Sequence, residues 1–502
     1  MRGCGVSARH GRTPPKRDMH KRLKGGGAAA AAWLCGMIVA FLVASCGSPA
    51  APAPGPTPTP PGSQPPEGGR PATVTDTLGA PPGAPAVVDT PAGQTDNIAA
   101  YQVSPPPPES NIRLVFWTID SVSSLAKGKA GELFAAGLSG FERAFPTTSV
   151  AVAVKNEAGK GGVLDYLRSA SQVAPSVLPD LVVLDGVDLA SAARAGVLVP
   201  LDGRVSPELV NDLLPAARAA GTVDGQLVGI PFQMDAPHLV YNTTQLPMAP
   251  LGWTDVLSHT ASYMFPTQGR NGLVNDAFLI QYLAAGGRFQ DDQGAPMLDE
   301  AALRAVLDYY AAAVRAGILA PQGLEAGDPE DIVPLVAAAK LGMAQVAAHR
   351  FLVDSLSLAE GPGAQQGAAG TLQNAQYADI PTRDGKPLTI GRGWALAIVT
   401  RDPAQQATAL RLVEWLLSPA NNAIWNQTVR YIPTRYTAFR VLEGSDAYYP
   451  FLQHLMEVAV PPPAFLEYDQ LSRILQQSVV AVLRGEATPE KAAADAVDAV
   501  VR

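Results

Sequence analysis

The first regular pattern of apolar positions begins near residue 112. Residues 112–117 form a short, almost continuous apolar run, and two similar runs follow at 150–154 and 181–184. Short runs of this kind predict strands that are buried on both faces. Between and after them, segments such as 162–173 and 188–195 carry apolar residues at helical spacing. Strands that alternate with helices predict a mostly parallel sheet with helices on both faces.

The second half of the chain is richer in helical spacing. Apolar residues over 303–314 fall on one helical face, and Asp299 is the predicted N-cap. A strand is predicted at 395–399, and Asp402-Pro403 then starts a helix. The segment 360–371 is rich in Gly, Gln and Ala, which predicts a loop. Two further predicted helices close the chain, near 471–483 and 489–501.

The amino terminus has the pattern of a secretion signal. Residues 1–24 contain eight Lys and Arg against the single acid Asp18, and an apolar run over 28–44 follows. The small residues directly before Cys46 resemble the lipobox of bacterial lipoproteins, where a peptidase cuts before the cysteine and its thiol is lipidated. We therefore predict a lipoprotein signal peptide at 1–45. An uncleaved membrane anchor is the alternative, because about 17 apolar residues lie at the lower limit for spanning.

Residues 46–110 have a very different composition from the rest. They are dominated by Pro, Gly, Ala and Thr and contain few large apolar residues. Such a segment cannot bury enough apolar surface to offset its chain entropy, so a disordered, extended tether is predicted. The remaining chain of about 390 residues is long enough for two domains.

Charge and cysteine usage exclude several functions. The chain has 37 Lys and Arg and 45 Asp and Glu, a net charge of −8; without residues 1–45 these become 29 and 44, a net of −15. A chain this acidic has no basic footprint for nucleic acid. Cys4 and Cys35 lie in the predicted signal and Cys46 would carry lipid, which leaves no thiol for disulfides or metal binding. The histidines show no metal-type pairing, so no metal or cofactor is expected.

Eight short segments, taken in order from about residue 111 to 502, resemble one known family. They are 112–117, 141–146, 179–184, 195–202, 224–232 with 241–242, 391–398, 431–435 and 483–490. The family is the extracellular solute-binding proteins of ABC importers, in the large group typified by maltose-type sugar binders. Where that family usually has paired glycines before a tryptophan, this chain has Gly391-Arg392-Gly393.

The resemblance implies an α/β fold with two lobes, joined by strands that cross between them more than once, around a central ligand cleft. Lobe 1 would comprise 111–235 and 377–413, and lobe 2 would comprise 236–376 and 414–502. The lobes would hinge shut over a solute at the carboxyl ends of the strands. The implied protein is a monomer outside the cytoplasm, held to the membrane by lipid. It delivers a carbohydrate to ABC permease subunits and carries out no chemistry on it.

A sugar offers hydroxyls and apolar C–H faces, so its site needs carboxylates or amides together with flat aromatic rings. Side chains just past the predicted strand ends are placed to supply them. The candidate ligand-binding residues are Trp117, Thr118, Asp120, Asp185, Asp235, Arg392, Gly393, Trp394 and Tyr431. Gly391 and Gly393 would let backbone and ligand approach closely. Core packing for Trp117, and turn or cap roles for Asp185 and Asp235, are equally good interpretations.

Two questions about chemistry stay open at the level of sequence. Arg392 either pairs with an acid in the cleft or meets a carboxylate or phosphate of the ligand. The same fold is also compatible with a phosphorylated polyol, a polyamine or a metal chelate as the solute. A secreted glycan hydrolase with a carboxylate pair is the alternative from another class, although no motif supports it.

Overall fold

The computed structural model describes residues 111–319, 332–360 and 374–501. The predicted signal peptide 1–45, Cys46, the tether and residues 361–371 of the loop predicted at 360–371 lie outside the described residues. Within the described ranges, no helix combines the length and the apolar character needed to cross a bilayer.

The strands form two main sheets and two short ribbons. In chain order they are β1 (Ile112–Ile119), β2 (Thr148–Lys155), β3 (Leu181–Asp185), β4 (Thr222–Val223), β5 (Gln226–Leu227), β6 (Ile230–Asp235), β7 (Pro237–Asn242), β8 (Tyr263–Met264), β9 (Met343–Ala347), β10 (Ala375–Ala378), β11 (Thr389–Ile390), β12 (Arg392–Ile398) and β13 (Ala459–Val460). The ribbons pair β4 with β5 and β11 with β13.

Helices cover both main sheets. In chain order those described are α1 (Lys129–Ala144), α2 (Val163–Val173), α3 (Gly186–Arg194), α4 (Pro207–Asp212), α5 (Pro215–Ala220), α6 (Trp253–Ser258), α7 (Asp276–Ala284), α8 (Glu300–Arg315), α9 (Ile332–Ala337), α10 (Ala348–Glu360), α11 (Pro403–Leu416), α12 (Pro419–Val429), α13 (Tyr436–Val441), α14 (Tyr449–Val458), α15 (Tyr468–Leu483) and α16 (Pro489–Val501). Short 3-10 turns occur at Asp120–Val122, Pro175–Val177 and Arg270–Gly272.

The first sheet has the strand order β2-β1-β3-β12-β6. Strand β1 is parallel to β2 and β3, whereas β12 is antiparallel to both of its neighbours. Four strands therefore end at the same edge, where β12 begins. This mostly parallel sheet confirms the prediction from the alternating pattern. Its core is a cluster of fully buried side chains from the strands and from the helices packed on them, including Phe116, Leu184 and Leu412.

The second sheet has the order β10-β7-β9-β8. Neighbouring residues of β7 point to opposite faces of it, so Leu239 belongs to one buried cluster and Val240 to another. One residue, Ala236, separates β6 of the first sheet from β7 of the second. The chain later returns to the first sheet at β12. It thus passes between the sheets more than once, as the resemblance implied.

Local capping follows the sequence signals. The side chain of Asp299 accepts the backbone N–H of Ala302 at the start of α8, and Asp402 accepts those of Ala404 and Gln405 at the start of α11. Each acceptor satisfies a helical N–H that has no partner within the helix. The predicted N-cap at Asp299 and the predicted helix start at Asp402-Pro403 are both confirmed.

Candidate ligand-binding site

Polar side chains converge at the carboxyl edge of the first sheet. Strand β3 ends at Asp185 and β6 ends at Asp235, while β12 begins at Arg392. The cross-strand register places Asp185 opposite Trp394, and Asp235 opposite Arg392. Because β12 runs between the other two strands, the pairing brings four of the predicted site residues to adjacent positions.

Arg392 is held by a carboxylate from a segment 116 residues earlier in the sequence. Its Nε lies 2.8 and 3.0 Å from the two carboxylate oxygens of Asp276, and its Nη2 lies 2.6 Å from one of them. Asp276 is the first residue of α7, where the helix dipole favours a negative charge. Burial alone would lower the pKa of Arg392, but Asp276 outweighs it and the pKa is raised. Of the two roles open for Arg392, the structure shows the pairing with an acid.

Asp235 joins the end of β6 to the start of α10. Its Oδ1 accepts the backbone N–H of His349 at 3.0 Å and that of Ala236 at 2.9 Å. Burial raises the pKa of this carboxyl above the ordinary value, the bonds from His349 and Ala236 oppose the rise, and the negative charge of Asp276 adds to it. The side chain is half-buried at the sheet edge.

A stacked pair of rings lies beside Asp235. Tyr431 and His349 are nearly parallel, with ring centroids 4.3 Å apart and planes inclined by 14°. Nδ1 of His349 donates to the carbonyl oxygen of Arg430 at 3.1 Å, which fixes the imidazole. Burial, with smaller contributions from Asp235 and Glu157, raises the pKa of Tyr431 to about 12, so its hydroxyl stays protonated. The pair offers a flat face and a hydroxyl.

The predicted residues at the end of β1 are mostly buried. Trp117 is 6% exposed and lies edge-on to Tyr166 at 6.1 Å, with Nζ of Lys155 over both rings at 4.8 and 4.6 Å. Thr118 is fully buried and donates to the Val122 carbonyl at 2.6 Å. The turn after β1 uses this hydroxyl. Asp120, the first residue of that turn, is exposed at the same edge.

Gly393 is required by the packing of two strands. A Cβ there would overlap the carbonyl oxygen of Gln233 and the sulfur of Met234. The group that approaches Gly393 closely is therefore strand β6 and not a ligand. The register of the β6–β12 pair shifts one residue later, between Trp394 and Ala395. Trp394 itself is half-buried and packs against the first core.

Asp185 has the capping role that is one of the two interpretations of this residue. Its Oδ1 accepts the N–H of Asp188 at 2.7 Å and so caps α3. It also remains half-buried at the sheet edge, opposite Trp394.

Three residues of this region were missed by the sequence reasoning. Asp276 and Tyr468, the first residues of α7 and α15, and His349 at the start of α10 all face Arg392 or Asp235. His349 lies two residues after the end of β9. It could therefore have been predicted in the same way as Asp185, from its position just past a strand. Nothing local indicates that two helix starts approach Arg392 from segments more than 70 residues away in sequence.

A separate surface cavity of about 560 Å³ lies elsewhere on the first sheet. Its lining includes Arg168, Gly196, Val399 and Arg401. Val399 follows the last residue of β12 whereas Arg392 is the first, so this cavity lies at the opposite edge from the converging carboxylates.

Residues 142–447 match the bacterial extracellular solute-binding protein family, and the chain belongs to that family. Solved structures show the same two-lobed fold at low identity. The cyclic α-maltosyl-1,6-maltose binding protein of Arthrobacter globiformis is 18% identical over 77% of this chain and 97% of its own, with a TM-score of 0.62. The sugar-binding protein MalE of Xanthomonas citri is 19% identical over 78% and 97%, with a TM-score of 0.63. Maltose-bound MalE3 of T. maritima is 19% identical over 78% and 99%, with a TM-score of 0.59. The family resemblance and the two-lobed α/β fold are thus confirmed.

Proposed function

We propose that this chain is the solute-binding component of an ABC importer and that it captures a carbohydrate or sugar-like solute without transforming it. The observation that carries the proposal is the convergence of Asp185, Asp235, Arg392, Trp394 and Tyr431 at one sheet edge. Solved proteins of the same fold are named for sugars, including maltose and a cyclic maltosyl-maltose.

The proposed contacts divide by chemistry. Trp394 and the stacked Tyr431 offer apolar faces to the C–H side of a sugar ring. Asp235 and Asp185 accept hydroxyl protons, and exposed Asp120 extends the acidic edge. Trp117 and Thr118 support the edge from beneath, because both are buried.

Closure is the proposed mechanism. We assign lobe 1 to 111–235 and 377–413, and lobe 2 to 236–376 and 414–502, except that β10 stays whole in lobe 2, where it pairs with β7, and α11 stays whole in lobe 1, where it packs against the first core. One hinge would lie at Ala236 between β6 and β7. Asp276 and His349 then belong to lobe 2, and Arg392 and Asp235 to lobe 1. A solute that contacts both lobes stabilises the closed state by its extra contacts there, and no more. A permease would recognise that closed shape.

The amino-terminal prediction completes the proposal. Cleavage after residue 45 and lipidation of Cys46 would hold the monomer on the outer face of the cell membrane. Each buried CH₂ of the lipid contributes about 0.8 kcal/mol to retention. Residues 46–110 would then give the binding unit its reach.

A thermal-shift screen of the purified protein against neutral sugars, sugar acids, phosphorylated polyols and polyamines tests the solute class. A cleft ligand at about 100 times its dissociation constant adds about 2.7 kcal/mol to stability. We expect neutral mono- or oligosaccharides to raise the melting temperature and to be recovered intact. Stabilisation by polyamines alone, or turnover of labelled oligosaccharides as a hydrolase would give, contradicts the proposal.

A further inference from the structure

The guanidinium of Arg392 is a permanent cation at the proposed site, yet its charge is already matched. Asp276 takes both Nε and Nη2 in a bidentate pair. This geometry is the one that carboxylates and phosphates use when they bind arginine. An anionic solute would therefore have to displace Asp276 to reach the same two donors.

The surroundings add to this barrier. Asp185 and Asp276 both act electrostatically on Arg392, and Asp235 is its cross-strand neighbour. Two carboxyl groups thus act on one guanidinium, and a third occupies the neighbouring cross-strand position. The side chains of Arg392 and Asp276 keep 43% and 24% of their surface exposed, so the pair lies where a solute can reach it.

We propose that Asp276 is a specificity-determining residue, which occupies Arg392 and thereby keeps anionic sugars, such as uronic acids and sugar phosphates, out of the site. The inference rests on the proposed function for its biological meaning, and it names neutral solutes as the class admitted. It also assigns a role to the departure from paired glycines at 391–393. The arginine stands there as half of an ion pair and is not the receptor for a ligand anion.

The inference predicts a gain of binding when the carboxylate is removed. Asp276→Asn keeps the size of the side chain but frees the positive charge of Arg392. We expect the variant to bind D-glucuronate and inorganic phosphate about ten- to hundredfold more tightly than the wild type, the usual range for a charge-assisted bond. Isothermal titration at low salt measures both probes, because screening weakens exposed charge interactions.

Three control variants isolate the cause. Asp276→Glu retains the negative charge and should not gain anion binding. Asp276→Asn combined with Arg392→Gln should lose the gain, because the receptor cation is gone. Asp292→Asn makes the same chemical change in an exposed Arg288–Asp292 pair of 2.8 Å, and it should leave anion binding as in the wild type.

The outcomes separate this inference from the proposed function. Gain of phosphate and glucuronate binding in Asp276→Asn alone supports the inference, whether or not the wild type binds neutral sugars. No gain in a variant that melts like the wild type overturns it, as does a gain that persists without Arg392. Wild-type protein that prefers glucuronate to D-glucose also overturns it. Failure of the wild type to bind any neutral sugar counts against the proposed function only.

Discussion

The carboxylate of Asp235 accepts the backbone N–H of His349 at 3.0 Å, which links the last residue of β6 to the second residue of α10. One element belongs to the first sheet, and the other follows a strand of the second. The bond holds the imidazole of His349 beside Tyr431, where the two rings stack. Asp235 therefore contributes to the local structure as well as to the proposed site, so its substitution should be assessed by both solute affinity and stability.

Replacing Asp235 tests its role as a hydroxyl acceptor. Asp235→Asn retains an oxygen for His349 but loses the charge, so we expect affinity for the solute to fall about tenfold with little loss of stability. Titration calorimetry and thermal melting give the two quantities. Unchanged affinity in Asp235→Asn would show that this carboxylate does not contact the solute.

The same carboxyl predicts a pH dependence of binding. Burial raises the pKa of Asp235 above the ordinary 3.8. Affinity that needs the ionised form is present above this raised pKa and is lost as the pH falls through it. The acid limb of binding should therefore lie at higher pH than for an exposed aspartate, and it should vanish in Asp235→Asn.

Tyr431 is expected to contribute through its ring more than through its hydroxyl. Tyr431→Ala removes the flat face and should weaken solute binding roughly three- to tenfold, as expected for loss of an aromatic contact. Tyr431→Phe keeps the stack on His349 and is the matched control, with affinity near that of the wild type. Equal affinities for all three proteins would remove Tyr431 from the site.

Gly393 should tolerate no side chain. In Gly393→Ala the new Cβ overlaps the Gln233 carbonyl oxygen and the Met234 sulfur, so we expect a loss of about 1–3 kcal/mol in unfolding free energy. Gly137→Ala in α1 is the control. A Cβ at Gly137 would lie 3.8 Å from the side chain of Leu416, which is an ordinary van der Waals distance. Alanine at this helical position should be neutral or stabilising. Denaturant unfolding compares them, and equal stabilities would contradict the packing given for Gly393.

His238 should make stability depend on pH. It is fully buried, Nδ1 donates to the Leu239 carbonyl at 3.0 Å, and Nε2 accepts from the Tyr448 hydroxyl at 2.5 Å. Burial lowers the pKa of His238 from 6.5 to about 4. Between pH 6.5 and about 4, His238 is protonated in the unfolded chain but stays neutral in the folded protein. Stability therefore falls as the pH falls, by up to about 3 kcal/mol.

Urea unfolding between pH 4 and 7 measures this effect. His238→Phe removes the titrating group, and its stability should fall less steeply over the window than that of the wild type. The variant also leaves the Tyr448 hydroxyl without its acceptor, so its stability at pH 7 is expected to be lower. Parallel pH profiles for the two proteins would show that His238 does not titrate as its burial implies.

The sequence predicted the regular part of the fold because its signals are local. The apolar run at 181–184 and the acid that follows it indicated a strand end, and Asp185 lies there. The cap at Asp299 and the helix start at Asp402-Pro403 are local signals of the same kind. Asp235 and Arg392 were also selected as strand-end residues, and pairing of β6 with β12 brings them together.

The remainder depended on contacts between distant segments. Asp276 meets Arg392 from 116 residues away in sequence, and no local pattern encodes that approach. The position of Thr118 near a strand end predicts a ligand contact, but the chain turns back there and the Thr118 hydroxyl donates to the Val122 carbonyl. Gly393 was expected to make room for a ligand, whereas its neighbour is the backbone of β6. In each case the outcome depends on the element that packs against the residue, and a single segment of sequence does not specify that element.

Small-angle X-ray scattering with and without a stabilising solute tests capture between two lobes most directly. We predict that a saturating concentration of the neutral sugar found in the thermal screen reduces the radius of gyration and changes the profile reversibly. Superimposable profiles at saturation would contradict closure of the lobes over the solute.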